Sequence, residues 1–134
     1  MSLFDLEHVR LVLVRGAPGS GKTSFAAGLS GFELVEADQF FLVDGVYRYD
    51  REGVPEAHRW AQERTAGILV SGGRVVVANT FTKLWELQPY FLMGVPTKVY
   101  RCLGSWPNEH GVPDEVVLRM KEGYQPHPTE VGVY

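Results

Sequence analysis

Cysteine is nearly absent: Cys102 stands alone in 134 residues. That excludes an intramolecular disulfide and any zinc site built on paired thiolates. Long hydrophobic runs are missing too. The longest apolar stretches, such as Arg74 to Ala78 with its neighbours, fall far short of the roughly 20 residues a membrane-spanning helix requires. The first residues show no charged region followed by an apolar one, so no leader is expected. Positive charge is not in surplus, with 13 Lys and Arg against 16 Asp and Glu and a net charge of −3. A broad basic surface for duplex nucleic acid is thereby excluded, while a local cationic channel is not. The four histidines are scattered and form no metal-ligand pattern. The expectation is a cytosolic protein without membrane contact. At this length, a hydrophobic content of 45% fits one globular domain with one core.

What is present reads as alternating strands and helices. Leu11 to Val14 is a short, continuous apolar run, the pattern of a strand covered on both faces. A glycine-rich turn follows, then helical spacing of Phe25, Ala26 and Leu29 from Lys22 onward. Further strands are expected at Phe32 to Ala37, Arg74 to Ala78 and Thr97 to Leu103, with helices at Pro55 to Ser71, Leu84 to Met93 and Pro113 to Glu122. The order predicts a three-layer α/β/α fold with a mainly parallel sheet of four or five strands joined by right-handed crossovers. No repeat, low-complexity tract or linker interrupts it. The expected single domain has a core of about residues 10–124, a loop at 104–112 and a C-terminal tail at 124–134.

Between the first strand and first helix stands Gly16-Ala17-Pro18-Gly19-Ser20-Gly21-Lys22-Thr23, with Ser24 next. It matches G-x-x-x-x-G-K-[ST] in the strand-to-helix context that gives the motif meaning. Glycines let the backbone wrap phosphate oxygens with N–H groups inward, and the helix N-terminus adds a favourable dipole. Residues 16–24 therefore read as a P-loop for ATP. Lys22 supplies charge to the β- and γ-phosphates, Thr23 offers a hydroxyl to Mg2+, and Ser20 contributes its backbone.

Asp38 lies just past the second expected strand, at the sheet end where parallel α/β folds place ligands. It reads either as the base that takes a proton from an acceptor hydroxyl or as a helix N-cap. The third strand ends in Asn79-Thr80, with no carboxylate in that place. Asn79 either orients Asp38, a metal-bound water or substrate, or ends the strand in an Asx turn. Trp85 and Tyr90 read either as core aromatics or as rings on which a base stacks. Arg48, Arg51, Arg59 and Arg64, interleaved with Tyr47, Tyr49 and Trp60, read as a solvated helical face or a groove for nucleic acid. Cys102 reads as a small buried apolar residue.

The segments GAPGSGKTSFA, ADQFF, YRYDREGVPEAHRWAQER, NTFTKLWELQPY and HGVPDEVVLRM together resemble the polynucleotide-kinase-like P-loop kinases, AAA-type ATP-binding domains that include bacteriophage 5′-hydroxyl kinases. The resemblance spans Arg10 to about Tyr124. It implies an ATP-dependent phosphotransferase in which Lys22 and Thr23 hold phosphates and metal, Asp38 is the general base, and Asn79 sits beside the acceptor. It implies a single-stranded polynucleotide 5′-hydroxyl as acceptor. The alternatives are a modified base, nucleoside or small metabolite as acceptor, or an ATP-binding module completed by a partner. Where relatives carry a lid arginine, this chain has Pro107 before Asn108, so Arg101, Arg119 and Lys121 are the candidate replacements.

Overall fold

A computed structural model describes residues 6–107 and 111–134. In chain order the elements are β1 (Leu11–Arg15), α1 (Lys22–Ala27), β2 (Glu33–Val35), β3 (Leu42–Val43), β4 (Val46–Tyr47), α2 (Val54–Val70), β5 (Val75–Ala78), α3 (Gln88–Phe91), β6 (Thr97–Cys102), α4 (Asp114–Glu122) and β7 (Val131–Val133). Short 3₁₀ turns lie at Ala37–Phe41, Arg51–Gly53 and Leu84–Glu86. Five strands form one sheet in the order β2-β5-β1-β6-β7, and every pairing is parallel. The expected α/β architecture holds.

Every residue of β1 and β5 is buried, which explains why both read as continuous apolar runs. Leu11 and Leu13 pack with Val75, Val77, Val99 and the α2 residues Ala61 and Leu69. Val12 and Val14 pack with Val76, Tyr100, Cys102 and Ala26 of α1. The two-residue alternation of each strand thus divides one apolar run between two helical layers. On α2, Ala57, Ala61, Thr65 and Leu69 are buried at every fourth position, the spacing of a single helical stripe. Helix α4 carries Asp114 and Glu115 in its first turn and Arg119 and Lys121 in its last, matching the helix dipole. Lys83 adds a further cation there, donating to the Gly123 carbonyl at 2.6 Å.

Three local expectations change. The second strand ends at Val35, because the chain winds into the Ala37–Phe41 turn and then a small antiparallel β3–β4 hairpin. The helix expected from Leu84 to Met93 divides into the Leu84–Glu86 turn and four-residue α3, with Pro89 at the helix start. The expected tail at 124–134 instead contains β7, hydrogen-bonded to β6. The loop expected at 104–112 includes Asn108 to His110, which lie outside the described residues.

The cause of the ordered C-terminal segment is Arg15, the last residue of β1 and fully buried. Its guanidinium donates to the Phe81 carbonyl at 2.9 and 2.6 Å, to the Gln125 carbonyl at 2.8 Å and to Glu130 Oε1 at 2.7 Å. It also sits 4.2 Å from the centre of the Tyr124 ring. A buried arginine is tolerated only when its donors and charge are matched, and residues 124–130 supply most of that match. Glu130 also accepts from the Tyr124 hydroxyl and the His127 N–H, each at 3.0 Å. We expect Glu130→Ala to lower unfolding stability by about 3–5 kcal/mol, the usual cost of orphaning a buried charge. Urea denaturation measures this, and a loss below ~1 kcal/mol would show that Arg15 does not depend on the pair.

Candidate active site

The P-loop leaves β1 and enters α1, with Gly19 at φ 82° and Gly21 at φ 92°. These left-handed conformations are open to glycine at little cost, which is why the motif places glycine there. Gly21 has a second constraint, since a side chain on it would meet the Trp106 ring at 2.9 Å. Trp106 in turn donates its backbone N–H to the Gly19 carbonyl at 2.7 Å, tying the segment after β6 to the loop. A cavity of about 630 Å³ lies along this face, lined by Lys22, Thr23, Phe25, Cys102, Trp106 and Tyr134 among others. That volume suits a nucleotide, with backbone donors and Lys22 at one end and aromatic rings along the walls.

Lys22 donates to the Ala17 carbonyl at 3.1 Å. Burial pulls its pKa below the usual lysine value, and the opposing pull comes from the Cys102 thiol and the carboxylates of Glu36 and Asp38. Both acids are thus close enough to act on the loop lysine through their charge. Thr23 donates its hydroxyl to Glu36 Oε2 at 2.7 Å. Glu36 directly follows β2 and was not singled out in the sequence, although its position two residues before Asp38 is the signal that marks it. The pair offers a hydroxyl and a carboxylate, hard oxygen donors of the kind Mg2+ selects. Among the described residues there is no cluster of three or more His, Cys, Asp or Glu that would hold a metal by itself. The fit is thus to an ion shared with substrate phosphates and water.

Asp38 lies in the first turn of the 3₁₀ segment, where the N-cap position belongs to Glu36 and no side chain caps it. The N-cap reading of Asp38 is not what the backbone adopts. Tyr47, at the end of the β3–β4 hairpin, donates its hydroxyl to Asp38 Oδ1 at 3.3 Å. Burial raises the Tyr47 pKa first, and the Asp38 charge raises it further. Asn79 is 8% exposed, and its Oδ1 accepts the Ala37 N–H at 3.0 Å, joining the ends of β5 and β2 beside Asp38. Asn79 Nδ2 is buried and has no partner among the described residues, as is true of Ser20 Oγ. An amide donor without a partner next to a carboxylate-bearing turn is suited to hold an oxygen of substrate.

Of the candidate lid replacements, Arg101 and Lys121 line a smaller cavity of about 230 Å³ together with Gly16, Ala17 and Ser20. Arg101 also stacks 3.8 Å from the centre of Tyr124. Arg119 is absent from that cavity's lining. Trp85, expected in the core, is 73% exposed, whereas Tyr90 is buried as expected. Tyr49 and Tyr47 pack edge-on to Phe41, and Trp60 packs near Phe40, so these aromatics anchor the hairpin and α2.

The chain matches the AAA domain family over residues 11–108. It belongs to that family. Human NEDD4-binding protein 2 is 34% identical over 86% of the chain, which spans 8% of that protein. Uncharacterized protein PM0531 of Pasteurella multocida (strain Pm70) is 30% identical, with 82% of this chain and 73% of that protein covered. Among solved structures, a gluconokinase from Sinorhizobium meliloti 1021 superposes with a TM-score of 0.65 at 19% identity, covering 94% of this chain and 82% of that one. The Pnkp1/Rnl/Hen1 complex gives 0.59 at 19% identity, covering 91% and 42%. Mycobacterium tuberculosis APS kinase CysC gives 0.56 at 16% identity, covering 93% and 88%. The AAA domain described here thus has the fold of the small P-loop kinases, and its P-loop implies ATP binding. No helix among the described residues is long and apolar enough to cross a membrane.

Two outcomes follow from this geometry. Lys22→Ala should abolish measurable MgATP binding by calorimetry while leaving the circular dichroism spectrum unchanged, since Lys22 meets the loop and ligand, not the sheet core. Unchanged affinity would remove the P-loop assignment. Burial pushes the Cys102 thiol up to about 11, so its reactive thiolate should be scarcer at pH 8 than in a free cysteine by on the order of 10²-fold. Alkylation followed by mass spectrometry should show a correspondingly slow rate that rises steadily toward pH 11, and modification at the rate of free cysteine would contradict the burial.

Proposed function

We propose that this AAA domain transfers the γ-phosphate of ATP to a hydroxyl acceptor, with Asp38 as general base and a polynucleotide 5′-hydroxyl as the acceptor. The observation that carries the reading is that the P-loop meets the turn bearing Asp38, with the Thr23 hydroxyl donating to Glu36 at 2.7 Å and Asp38 two residues further on. A phosphate-binding loop and an acid that can accept a proton then stand on adjoining elements.

In the proposed reaction, backbone N–H groups of residues 19–24 and the Lys22 ammonium hold the β- and γ-phosphate oxygens. Thr23 and Glu36 are the residues that would hold Mg2+, which when bound neutralises charge on those oxygens. Asp38 orients the acceptor hydroxyl and takes its proton as the new O–P bond forms. The bond from the γ-phosphorus to the bridging oxygen breaks, and ADP leaves with that electron pair. Tyr47 positions Asp38 by donating to one carboxylate oxygen, and Asn79 presents its amide N–H₂ on the acceptor side. Arg101 or Lys121 supplies the positive charge that Pro107 cannot, because both already lie on the P-loop cavity. The polynucleotide acceptor is supported by the distributed motif resemblance and by the fold shared with the Pnkp1-containing complex.

Labelled ATP offered with single-stranded DNA, RNA, nucleosides, gluconate and no acceptor tests the reading directly. Label should pass to the 5′ ends of the nucleic acids, and transfer only to a small molecule would replace the acceptor while keeping the chemistry. Asp38→Asn keeps the shape of the side chain and removes the base. Its single-turnover transfer rate should fall by on the order of 10²- to 10⁴-fold, with MgATP affinity nearly unchanged. Near-normal transfer by this variant would end the assignment of Asp38.

A further inference from the structure

A cavity of about 450 Å³ opens between the first turns of α2 and the segment that follows β5. We propose that it seats the nucleobase of the acceptor's terminal nucleoside; this rests on the phosphotransferase reading and names the chemistry its acceptor must carry.

Position comes first. Phe81 lines the cavity and stands two residues after Asn79, whose amide oxygen holds the Ala37 N–H next to Asp38. On the other wall, α2 packs Ala57 against Ala37 and Phe41 of the same turn. The cavity is therefore bounded by the same two elements that flank the Asp38-bearing turn, and it is the space into which the remainder of an acceptor held there would extend. The volume is within the usual range of small-molecule sites.

The lining decides the chemistry. Trp85 is exposed, although an indole ordinarily buries its large apolar face. It lines the cavity beside the buried rings of Phe81 and Tyr90, and its own exposed face is the flat apolar surface on which a ring can stack. Tyr90 is 1% exposed, and its hydroxyl has no partner among the described residues. Buried hydroxyls are ordinarily satisfied, so a polar group entering here would complete an existing deficit. Gln62 offers both a donor and an acceptor at the same wall. Arg59 and Glu86 also line the space, and their charges oppose each other. That balance gives no net attraction for a sugar acid or a second phosphate. It suits an uncharged ring with hydrogen-bonding edges, which is what a nucleobase is.

The test measures binding of the full chain to two short single-stranded 5′-hydroxyl oligonucleotides, identical except that one lacks the base of its 5′-terminal residue. Fluorescence anisotropy reads the affinities. The wild type should bind the base-bearing strand roughly tenfold more tightly, the scale of one stacked base. Trp85→Ala should erase that preference, Tyr90→Phe should reduce it, and both variants should keep wild-type affinity for MgATP. Equal affinity for the two strands, no binding of either, or a preference that survives Trp85→Ala would overturn the proposal. The two readings separate cleanly in the assays. Phosphoryl transfer to gluconate without any base preference would leave the kinase chemistry standing and remove the nucleobase seat. A base preference without transfer to any acceptor would do the reverse.

Discussion

The buried guanidinium of Arg15 is the constraint on which the arrangement of the site depends. It stands at the end of the central strand, where the P-loop begins, and it must satisfy its donors without water. It does so with the Phe81 carbonyl, the Gln125 carbonyl and the Glu130 carboxylate. Three chain segments distant in sequence are thereby drawn to the same point. Phe81 has a positive φ of 46°, unfavourable for a residue with a bulky side chain, and the two bonds from Arg15 to its carbonyl hold that turn in place. Asn79, two residues earlier, inherits a defined position.

The same point organises the C-terminal segment. Tyr124 carries both Arg15 and Arg101 against its ring, so Arg101, which lines the smaller cavity with Gly16, Ala17 and Ser20, is placed by residues outside the loop itself. Beyond it, β7 closes the sheet edge beside β6 and brings Tyr134 to the larger cavity along the P-loop. Electrostatic order in the site thus rests on a packing event elsewhere. The phosphate loop supplies backbone donors, but the charges around it are positioned by β2, β6 and the C-terminal segment.

On the acceptor side the design differs. The carboxylates come from a strand end that turns at once into a 3₁₀ segment, and α2 packs on that turn through small residues. Ala37 and Ala57 let the helix approach closely, which brings the lining residues of α2 beside the acid-bearing turn. Glu36 accepts the Thr23 hydroxyl, while Asn79, not a carboxylate, follows β5. The result separates the jobs of neighbouring acids: Glu36 faces the loop threonine, whereas Asp38 faces the hairpin tyrosine.

Sequence by itself determined the elements whose signals are local. The P-loop could be read because glycine spacing, lysine and threonine are contiguous, and β1 and β5 because burial on both faces makes their residues uniformly apolar. Asp38 and Asn79 drew notice because both follow strands, and the structure brings the two strand ends together through the Asn79 bond to the Ala37 N–H. Tertiary structure decided what depends on partners distant in sequence. The ordering of residues 124–134 comes from a buried arginine more than a hundred positions earlier, and no propensity in that proline-containing stretch announces it. The pairing of Thr23 with Glu36, the Trp106 contact with the loop and the exposure of Trp85 likewise follow from how strands and helices pack. Burial and charge compensation act between segments that meet only when folded, and a linear pattern records each segment without recording what it will meet.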